Sequence, residues 1–321
     1  MNPPRVIECR VELAPNAGMR LDVYVSEKLA LFSRSQARGR ILEASVNGVP
    51  ARLARRVRQG DMVVITYVDP PPTELVAEDI RLSVIFENDD VIVIDKPQGV
   101  VVHPGSGNPT GTLLNGLLFH CRGISERFAA EDPRPGIVHR LDKDTSGVII
   151  AAKNPAAHAF LARQFHDRAA RKRYVAVTIG APPGPSGRVA DRLGRDTRDR
   201  NRFSWVAKGG RSALTLYKVI RTYAAPGPPE HTYGLVALFP RTGRTHQLRV
   251  HMKRLGPSVL GDPLYGSRDS LFPEATLMLH ARSLCIQLPG ETEARTFLSQ
   301  LPQRFTAMIR QLQSFSPRSG L

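Results

Sequence analysis

Cysteine, acidic residues and long apolar runs are scarce in this chain of 321 residues, and each shortage excludes a kind of protein. The three cysteines, Cys9, Cys121 and Cys285, are widely separated and form no Cys-x-x-Cys pair, which supports neither a disulfide framework nor a zinc ribbon. We expect them to be reduced core residues. The longest apolar runs, at 63–68 and 148–152, are far shorter than the roughly 18 residues that cross a bilayer, so a transmembrane protein is excluded.

The shortage of acidic residues leaves a large positive charge. Only 29 Asp and Glu oppose 45 Lys and Arg, which gives a net charge of +16 and an isoelectric point near 10.5, and only eight of the basic residues are lysine. Such a surplus attracts polyanions, of which nucleic acid is the first candidate. Residues 1–6 lack the apolar run of a secretory signal peptide, which predicts a cytoplasmic protein.

Residues 18–68 form a basic segment with its own structural pattern. Within it, nine Lys and Arg oppose four Asp and Glu. Leu21, Val25 and Leu29 recur at the spacing of one helix face, and a second helical pattern follows. The second helix carries three arginines largely away from its apolar face, and we interpret them as RNA-binding residues that are free to contact phosphate: Arg34, Arg38 and Arg40.

Three consecutive prolines at 70–72 break regular structure, because they remove three backbone donors and fix φ. They predict a linker over 69–80, between a small α+β domain at 18–68 and a larger catalytic domain at 81–315.

Strand and helix patterns alternate along the chain, which is typical of a mixed α/β or α+β fold. The predicted elements are a hairpin at 46–49, a hairpin joining 82–87 to 91–94, a strand at 148–152, a helix from Asn154 to about 170, a strand at 173–178, a less regular loop at 180–192 and a last helix at 301–315.

The densest group of ionisable side chains lies at 136–147, between two apolar stretches. From His139 to Gly147 it reads His-Arg-Leu-Asp-Lys-Asp-Thr-Ser-Gly. Loops between core strands are where catalytic groups are usually mounted. A solvated turn capped by Asp142 or Asp144 is the simpler interpretation of the same residues.

Three other enzyme classes leave comparable signatures, and none fits well. A kinase catalytic loop has His-Arg-Asp, but Leu141 intervenes here and no Asp-Phe-Gly follows. Asp142 and Asp144 could be the paired aspartates of a magnesium-dependent phosphotransferase, yet such aspartates follow a strand directly. His246 and His251 lack the glutamate that a zinc protease places between its histidines. A phosphotransfer enzyme stays open as a remote alternative, and we expect no metal site.

The segment 139–147 resembles the central motif of the RluA-type pseudouridine synthases, which isomerise uridine to pseudouridine in RNA. Five further segments match that family in the same order: 95–104, 172–176, 241–251, 261–266 and 279–282. The resemblance covers about 84 to 290, and 18–68 resembles the S4 RNA-binding domain that often precedes the catalytic domain. It implies an α+β fold, with a mixed, mainly antiparallel sheet in the catalytic domain and a small α+β RNA-binding domain before it.

The resemblance also implies roles for individual residues. Asp142 is then the catalytic carboxylate, and Arg249 is its cationic partner, whose planar fork can hold a carboxylate by two bonds. Tyr174 stacks on the flipped uracil, and Arg140 contacts the RNA where the base has left. From the residues alone, Tyr174 is also interpretable as a core tyrosine and Arg249 as a surface arginine near the end of a strand. We interpret four further residues as structural or RNA-contacting: Lys96, His103, His139 and His246.

The implied reaction breaks a C–N glycosidic bond and forms a C–C bond to the same ring, with no net redox change. We therefore expect no cofactor. Whether Asp142 adds covalently or acts as a base on the ribose, on a path through a glycal, stays open.

The expected partner is RNA and not a membrane. For family members that carry an S4 domain, this RNA is most often large-subunit ribosomal RNA. Aromatic residues at 6% favour a structured RNA over an extended single strand. The alternative is a non-catalytic RNA-binding protein that kept the fold, and in either case we expect a monomer.

Deleting residues 1–72 should separate affinity from chemistry, because phosphate contacts position an RNA without reading its sequence. RNA binding should weaken and its salt dependence should flatten, while turnover persists at high RNA concentration. Binding isotherms at several salt concentrations, together with a tritium-release assay, measure both effects. Unchanged RNA binding after the deletion would contradict the assignment of affinity to the basic segment.

Overall fold

The computed structural model describes residues 3–14, 18–32, 37, 39–68, 75–105, 107–128, 132–199, 201–226 and 231–315. The chain forms two compact units, Met1–Glu74 and Leu75–Leu321. The predicted linker over 69–80 spans this division, and its first part, 69–74, lies outside the described residues. The rest of it packs within the second unit: Asn115 Nδ2 donates to Val76 O at 2.7 Å, and Glu78 N donates to Asn115 O at 3.0 Å.

The first unit is a small α+β fold. Its elements are β1 (Arg5–Arg10), β2 (Gly18–Arg20), α1 (Leu21–Glu27), β3 (Ile41–Val46), β4 (Val49–Pro50), β5 (Arg56–Arg58) and β6 (Met62–Tyr67). The strands pair in the order β1-β6-β3-β4, and β2 pairs with β5. Leu21 and Val25 on α1 are buried in the core, as their spacing predicts. Asn47 and Gly48 both have positive φ, which confirms the hairpin between β3 and β4.

Two of the three arginines predicted to bind RNA in this unit, Arg34 and Arg38, lie outside the described residues. Arg40 is described: its guanidinium carbon lies 5.3 Å from the centre of the Phe32 ring. The residue is half-buried, and its guanidinium lies against the aromatic ring.

The second unit is built on one large sheet. Its strands are β7 (Val84–Glu87), β8 (Val91–Lys96), β9 (Ser146–Ala152), β10 (Arg171–Ile179), β11 (Ser186–Arg195), β12 (Phe203–Trp205), β13 (Arg211–Ala224), β14 (Thr232–Pro240), β15 (Ser258–Val259), β16 (Leu279–Gln287) and β17 (Ala294–Leu298). Its helices are α2 (Leu113–His120), α3 (Ile124–Arg127), α4 (Pro155–His166), α5 (Gln247–Leu255) and α6 (Gln303–Phe315). Within the described ranges, each helix is too short or too polar to span a bilayer.

The sheet order is β12-β11-β13-β14-β10-β16-β9-β8-β7, with β15 paired to β10 and β17 to β16. Among the described strands of this sheet, the pairing of β9 with β16 is parallel and the others are antiparallel. The mainly antiparallel α+β architecture predicted for the catalytic domain is therefore confirmed.

Two predicted elements differ in the structure. Helix α4 ends at His166 rather than near 170, because the chain turns at Arg168, whose φ is 62°. The loop expected at 180–192 is mostly strand β11, in which Val189 and Leu193 are buried. Glycine and proline before Ser186 obscured a strand whose apolar residues stand an even number of positions apart, on one face.

Strand β9 follows directly from the polar segment 139–147 and is an interior strand, the third from the β7 edge of the sheet. It is buried along its whole length and pairs with β8 and β16. Gly147, the second residue of β9, has a φ of 116°, and a Cβ at this position would lie 2.2 Å from the carbonyl oxygen of Ala281. Only glycine allows this close approach, so the residue fixes the point at which the loop enters the sheet.

A buried polar network ties the start of β9 to later parts of the chain. His280 Nδ1 lies 2.9 Å from Ser146 Oγ, and Arg304 Nη2 on α6 donates to the same hydroxyl at 2.6 Å. Ser299 Oγ donates to Asp95 Oδ1 at 2.7 Å and lies 3.2 Å from His280 Nε2. Burial lowers the pKa of His280 to about 4, so its ring is neutral at pH 7. Strands β8, β9 and β16 and helix α6 are thus joined behind the loop.

Replacing Gly147 with alanine should destabilise the protein, because the added Cβ meets the Ala281 carbonyl and a φ of 116° is strained for alanine. We expect the free energy of unfolding to fall by more than about 3 kcal/mol in a urea titration. Gly290→Ala is the matched control: its φ is 77°, but no atom lies within 4 Å of the added Cβ. It should lose only about 1–2 kcal/mol, and equal losses in the two variants would contradict the steric explanation.

Candidate active site

The four residues to which the resemblance gave roles in the catalytic domain line one cavity of about 560 Å³: Arg140, Asp142, Tyr174 and Arg249. The walls come from the loop before β9, the first part of β10 and the segment from Pro240 to Arg249. The structure therefore brings together side chains that are separated by more than 100 positions in the sequence.

His139 anchors the loop that carries Asp142. Its Nε2 accepts a hydrogen bond from the backbone N–H of Ile150 at 3.1 Å, and its ring stacks on Phe165 with 4.5 Å between centroids. Burial lowers the pKa of His139 to about 3, helped by the positive charge of Lys172, so the ring is a neutral acceptor at pH 7. Of the two functions left open for His139, the structural one accounts for these contacts.

Lys96 holds the same loop from the other side. Its fully buried amino group donates to the carbonyl oxygens of Pro97, Val100 and Lys143, at 2.8, 2.7 and 3.0 Å. Burial lowers the pKa of Lys96 to about 8, and the carboxylates of Asp144 and Asp142 oppose that shift. All three ammonium hydrogens are used on backbone oxygens, so the residue positions the loop.

Arg249 lies on helix α5 and is 5% exposed. Its Nη1 is 3.6 Å from Asp142 Oδ2, so it is the neighbour of Asp142 that the resemblance implies. The bidentate partner, however, is Asp262: Nε donates to Oδ2 at 2.7 Å and Nη2 to Oδ1 at 2.6 Å. The interpretation of Arg249 as a surface arginine on a strand is wrong, because the residue belongs to a helix whose first six residues are buried.

Asp262 is the site residue that sequence reasoning missed, although it lies in the matched segment 261–266. Its Oδ1 also accepts from the backbone N–H groups of Leu264 and Tyr265, at 2.9 and 3.0 Å. Burial alone would raise the pKa of Asp262, but the bonds from Arg249 and from these N–H groups outweigh it and lower the pKa. Burial likewise opposes the charge on Arg249, yet the bonds to Asp262 and the charge of Asp142 raise its pKa overall.

The turn before α5 is fixed by side chains rather than by a standard cap. Thr242 Oγ1 donates to Gln247 Oε1 at 2.7 Å, and Gln247 Nε2 donates to Thr215 Oγ1 at 3.0 Å. His246 adopts a φ of 56°, and its Nδ1 lies 2.9 Å from the hydroxyl of Tyr265. Burial lowers the pKa of His246, and Asp142 opposes that shift. Together these contacts set the position at which α5 begins, and hence where Arg249 points.

The position of Tyr174 is compatible with both interpretations offered for it. It is 9% exposed at the start of the buried part of β10, and its ring also lines the cavity. Burial raises the pKa of the Tyr174 hydroxyl, and the nearby charge of Asp142 raises it further. The phenol is therefore neutral at pH 7, and its ring provides an uncharged face beside the carboxylate.

Among the residues that the structure describes, one cluster elsewhere has metal-ligand chemistry. The ligand atoms of Glu87, His120 and Cys121 lie within 4.8 Å of one another. Lys153 Nζ donates to Glu87 Oε1 at 2.7 Å, and burial raises the pKa of Cys121 to about 11, so the thiol is protonated at pH 7. An ammonium group already neutralises the carboxylate, and the cluster fits an ion pair better than a metal ion.

Comparison with known proteins shows the class to which the chain belongs. The profile of the RNA pseudouridylate synthase family matches residues 90–254, which contain Asp142, Tyr174 and Arg249. The chain belongs to this family and is an RNA-modifying isomerase.

Individual relatives extend the match over most of the chain. Ribosomal large subunit pseudouridine synthase D of Borreliella burgdorferi is 39% identical over 91% of this chain and 89% of its own length. The protein of the same name from Neisseria meningitidis serogroup B is 40% identical over 78% of this chain and 64% of its own. The solved structure of human RNA pseudouridylate synthase domain containing 4 has a TM-score of 0.55 and 25% identity, covering 72% of this chain and 93% of that one.

Arg249→Lys should impair the enzyme although it conserves the charge, because an ammonium group cannot make the two parallel bonds to Asp262. A lost charge-assisted bond is worth about 1.5–3 kcal/mol, so kcat/KM should fall by at least about ten-fold. Arg254→Lys, five residues further along the same helix at an exposed position, should stay close to wild type. Similar activity in both variants would show that the fork geometry does not matter.

Proposed function

We propose that this protein isomerises specific uridines to pseudouridine in large-subunit ribosomal RNA, with Asp142 as the catalytic carboxylate. The observation that carries the proposal is the placement of Asp142 in the cavity wall, 3.6 Å from Arg249, in a chain of the pseudouridine synthase family. The names of the two bacterial relatives support a ribosomal substrate. Such a substrate implies a cytoplasmic enzyme, and we expect it to act as a monomer.

The cavity has the size that a flipped nucleoside needs. Its volume of about 560 Å³ falls within the usual range of small-molecule sites. A stacked uracil cannot reach Asp142, so the target must leave the helix at a cost of a few kcal/mol. Arg140 is exposed at the edge of the cavity, where its guanidinium can contact the RNA at the position that the base has left.

The chemistry that follows is an internal transfer. The bond between C1′ and N1 of the nucleoside breaks, the ring turns, and C1′ bonds to C5, which then loses its hydrogen while N1 gains one. Asp142 either adds covalently or removes a ribose proton, and both paths require an ionised carboxylate. The guanidinium of Arg249 lies 3.6 Å from that carboxylate and attracts it, and the ring of Tyr174 stacks on the detached base. No step requires an external oxidant or a transferred group.

Affinity for the RNA is proposed to come in part from the first unit. Residues 18–68 carry an excess of basic side chains, and we propose that they act as an S4-like RNA-binding domain. Arg40, over the Phe32 ring, contributes one of these charges. The alternative of a non-catalytic RNA-binding protein has no support, because Asp142, Tyr174 and Arg249 are all present and line one cavity.

Asp142→Asn tests the proposal, because it nearly conserves volume and removes the anionic oxygen. Isomerisation should become undetectable while the fold and RNA binding survive. Tritium release from RNA labelled at C5 of uridine measures turnover, since forming the new bond expels that hydrogen. Asp144→Asn is the matched control: Asp144 is two residues away and does not line the cavity, so its loss should have a milder effect.

Substantial tritium release by a folded Asp142→Asn protein would overturn the assignment. Equal loss in the two variants would reopen the possibility that both aspartates act together. Pseudouridine mapping of ribosomal RNA from cells with and without the gene identifies the position that is modified.

A further inference from the structure

A second cavity adjoins the active site. Its volume is about 300 Å³, and it shares four lining residues with the active-site cavity: Arg168, Lys172, Pro240 and Arg241. The turn after α4 and the first residues of β10 form one side, and β16 and β17 contribute Ser283, Cys285 and Thr296. We call it the basic cavity, after the five cationic residues that line it: Arg168, Arg171, Lys172, Arg173 and Arg241.

The charges of the basic cavity are of one sign. No Asp or Glu is found among the described residues that line it. In the part of the chain that the structure describes, none of its five cations forms an ion pair with a carboxylate. Like charges held together in this way repel one another, and an anion placed between them relieves the repulsion.

The hydrogen bond of Arg171 shows that the basic cavity offers few good acceptors to its guanidinium groups. Its Nη2 donates to the sulfur of Cys285 at 3.3 Å, although sulfur is a weak acceptor for a guanidinium. Burial would raise the pKa of Cys285, but the bonds from Thr296 and Arg171 lower it. A phosphate oxygen offers the guanidinium a charged acceptor with matching geometry in place of the sulfur.

Positive charges also repel one another around Lys172, which lines both cavities. Burial lowers the pKa of Lys172, and the positive charge of Arg244 lowers it further. Burial also lowers the pKa of Arg244, with contributions from the charges of Arg211 and Arg168. Lys172 Nζ lies 5.9 Å from the centre of the Phe165 ring, which attracts the cation only weakly at this distance. The protein therefore keeps cations close together along the passage from one cavity to the other.

We propose that the basic cavity binds the phosphodiester backbone of the RNA strand next to the flipped uridine. The proposal rests on the proposed function, since it places the strand beside a uridine bound in the active site. Arginine forks bind phosphate by two bonds, and such contacts position RNA without reading its sequence. Cations continue along both cavities, which suits a chain of phosphates better than a single small anion.

Cys285 makes occupancy of the cavity measurable without an activity assay. In a Cys9→Ser background, Cys285 is the accessible thiol of lowered pKa, because Cys121 is buried and its pKa is raised to about 11. We expect saturating ribosomal RNA fragment to slow alkylation of Cys285 by iodoacetamide at least about five-fold. Inorganic phosphate at the same concentration of phosphate groups should leave the rate unchanged.

Two results of this measurement would overturn the proposal. Equal protection by inorganic phosphate would make the cavity a site for a small anion. Unchanged alkylation in the presence of bound RNA would show that the strand avoids the cavity. Because the measurement needs only binding, it gives an answer with any RNA that binds, even if ribosomal RNA proves not to be a substrate in the tritium assay.

Arg173→Gln tests the consequence for turnover, since Arg173 lines the basic cavity and not the active-site cavity. KM for RNA should rise about ten-fold with kcat unchanged, and the slope of log affinity against log salt should fall by about 0.7–0.9, the value of one phosphate contact. Arg268→Gln removes the same charge from an exposed residue paired with Glu274 and should change neither quantity. Thermal melting should show that both variants are folded. Equal changes of KM and of the salt slope in the two variants would overturn the proposal, and so would a fall in kcat alone for Arg173→Gln.

Discussion

A single buried guanidinium organises the catalytic face of this protein. Arg249 binds Asp262 with two short bonds and reaches Asp142 with its remaining nitrogen, so one helix, one loop after α5 and the loop before β9 must meet at one point. Taking a cation out of water is compensated only when carboxylates lie close, and a buried charge without its partner costs about 3–5 kcal/mol. The contacts of Arg249 with Asp262 and Asp142 therefore position Asp142 and also stabilise the fold.

The charges around Asp142 suit the proposed function, in which one carboxylate acts on a polyanionic substrate. Among the described residues that line its cavity, Asp142 is the one Asp or Glu. The other charged residues there are cationic and include Arg140, Lys172 and Arg244. In the proposed function this positive charge attracts the RNA backbone, while the guanidinium of Arg249 lies 3.6 Å from the carboxylate. The excess of basic residues in the composition thus has a local counterpart, because several cations line the cavity that contains Asp142.

Local patterns predicted much of this arrangement, and tertiary contacts decided the rest. The spacing of Leu21 and Val25 was sufficient for α1, and the motif resemblance was sufficient to bring Asp142 and Tyr174 into one site. The alternation of Leu248, Arg249 and Val250 fits a strand as well as a helix, so the sequence could not assign α5. The partner of Arg249 was missed because Asp262 becomes its neighbour only when the segment after α5 folds back, and no periodicity records that contact.

The network behind β9 has a consequence for the order in which the protein matures. Ser146, at the end of the loop that carries Asp142, lies beside His280 and accepts a bond from Arg304, which follow it by 134 and 158 residues. At about 5–20 residues per second, the ribosome adds Arg304 about 8–30 seconds after Ser146. During that interval the growing chain already carries the carboxylate but not the residues that lock its strand in the sheet. Synthesis thus delays the completion of the site until most of the polypeptide has been made.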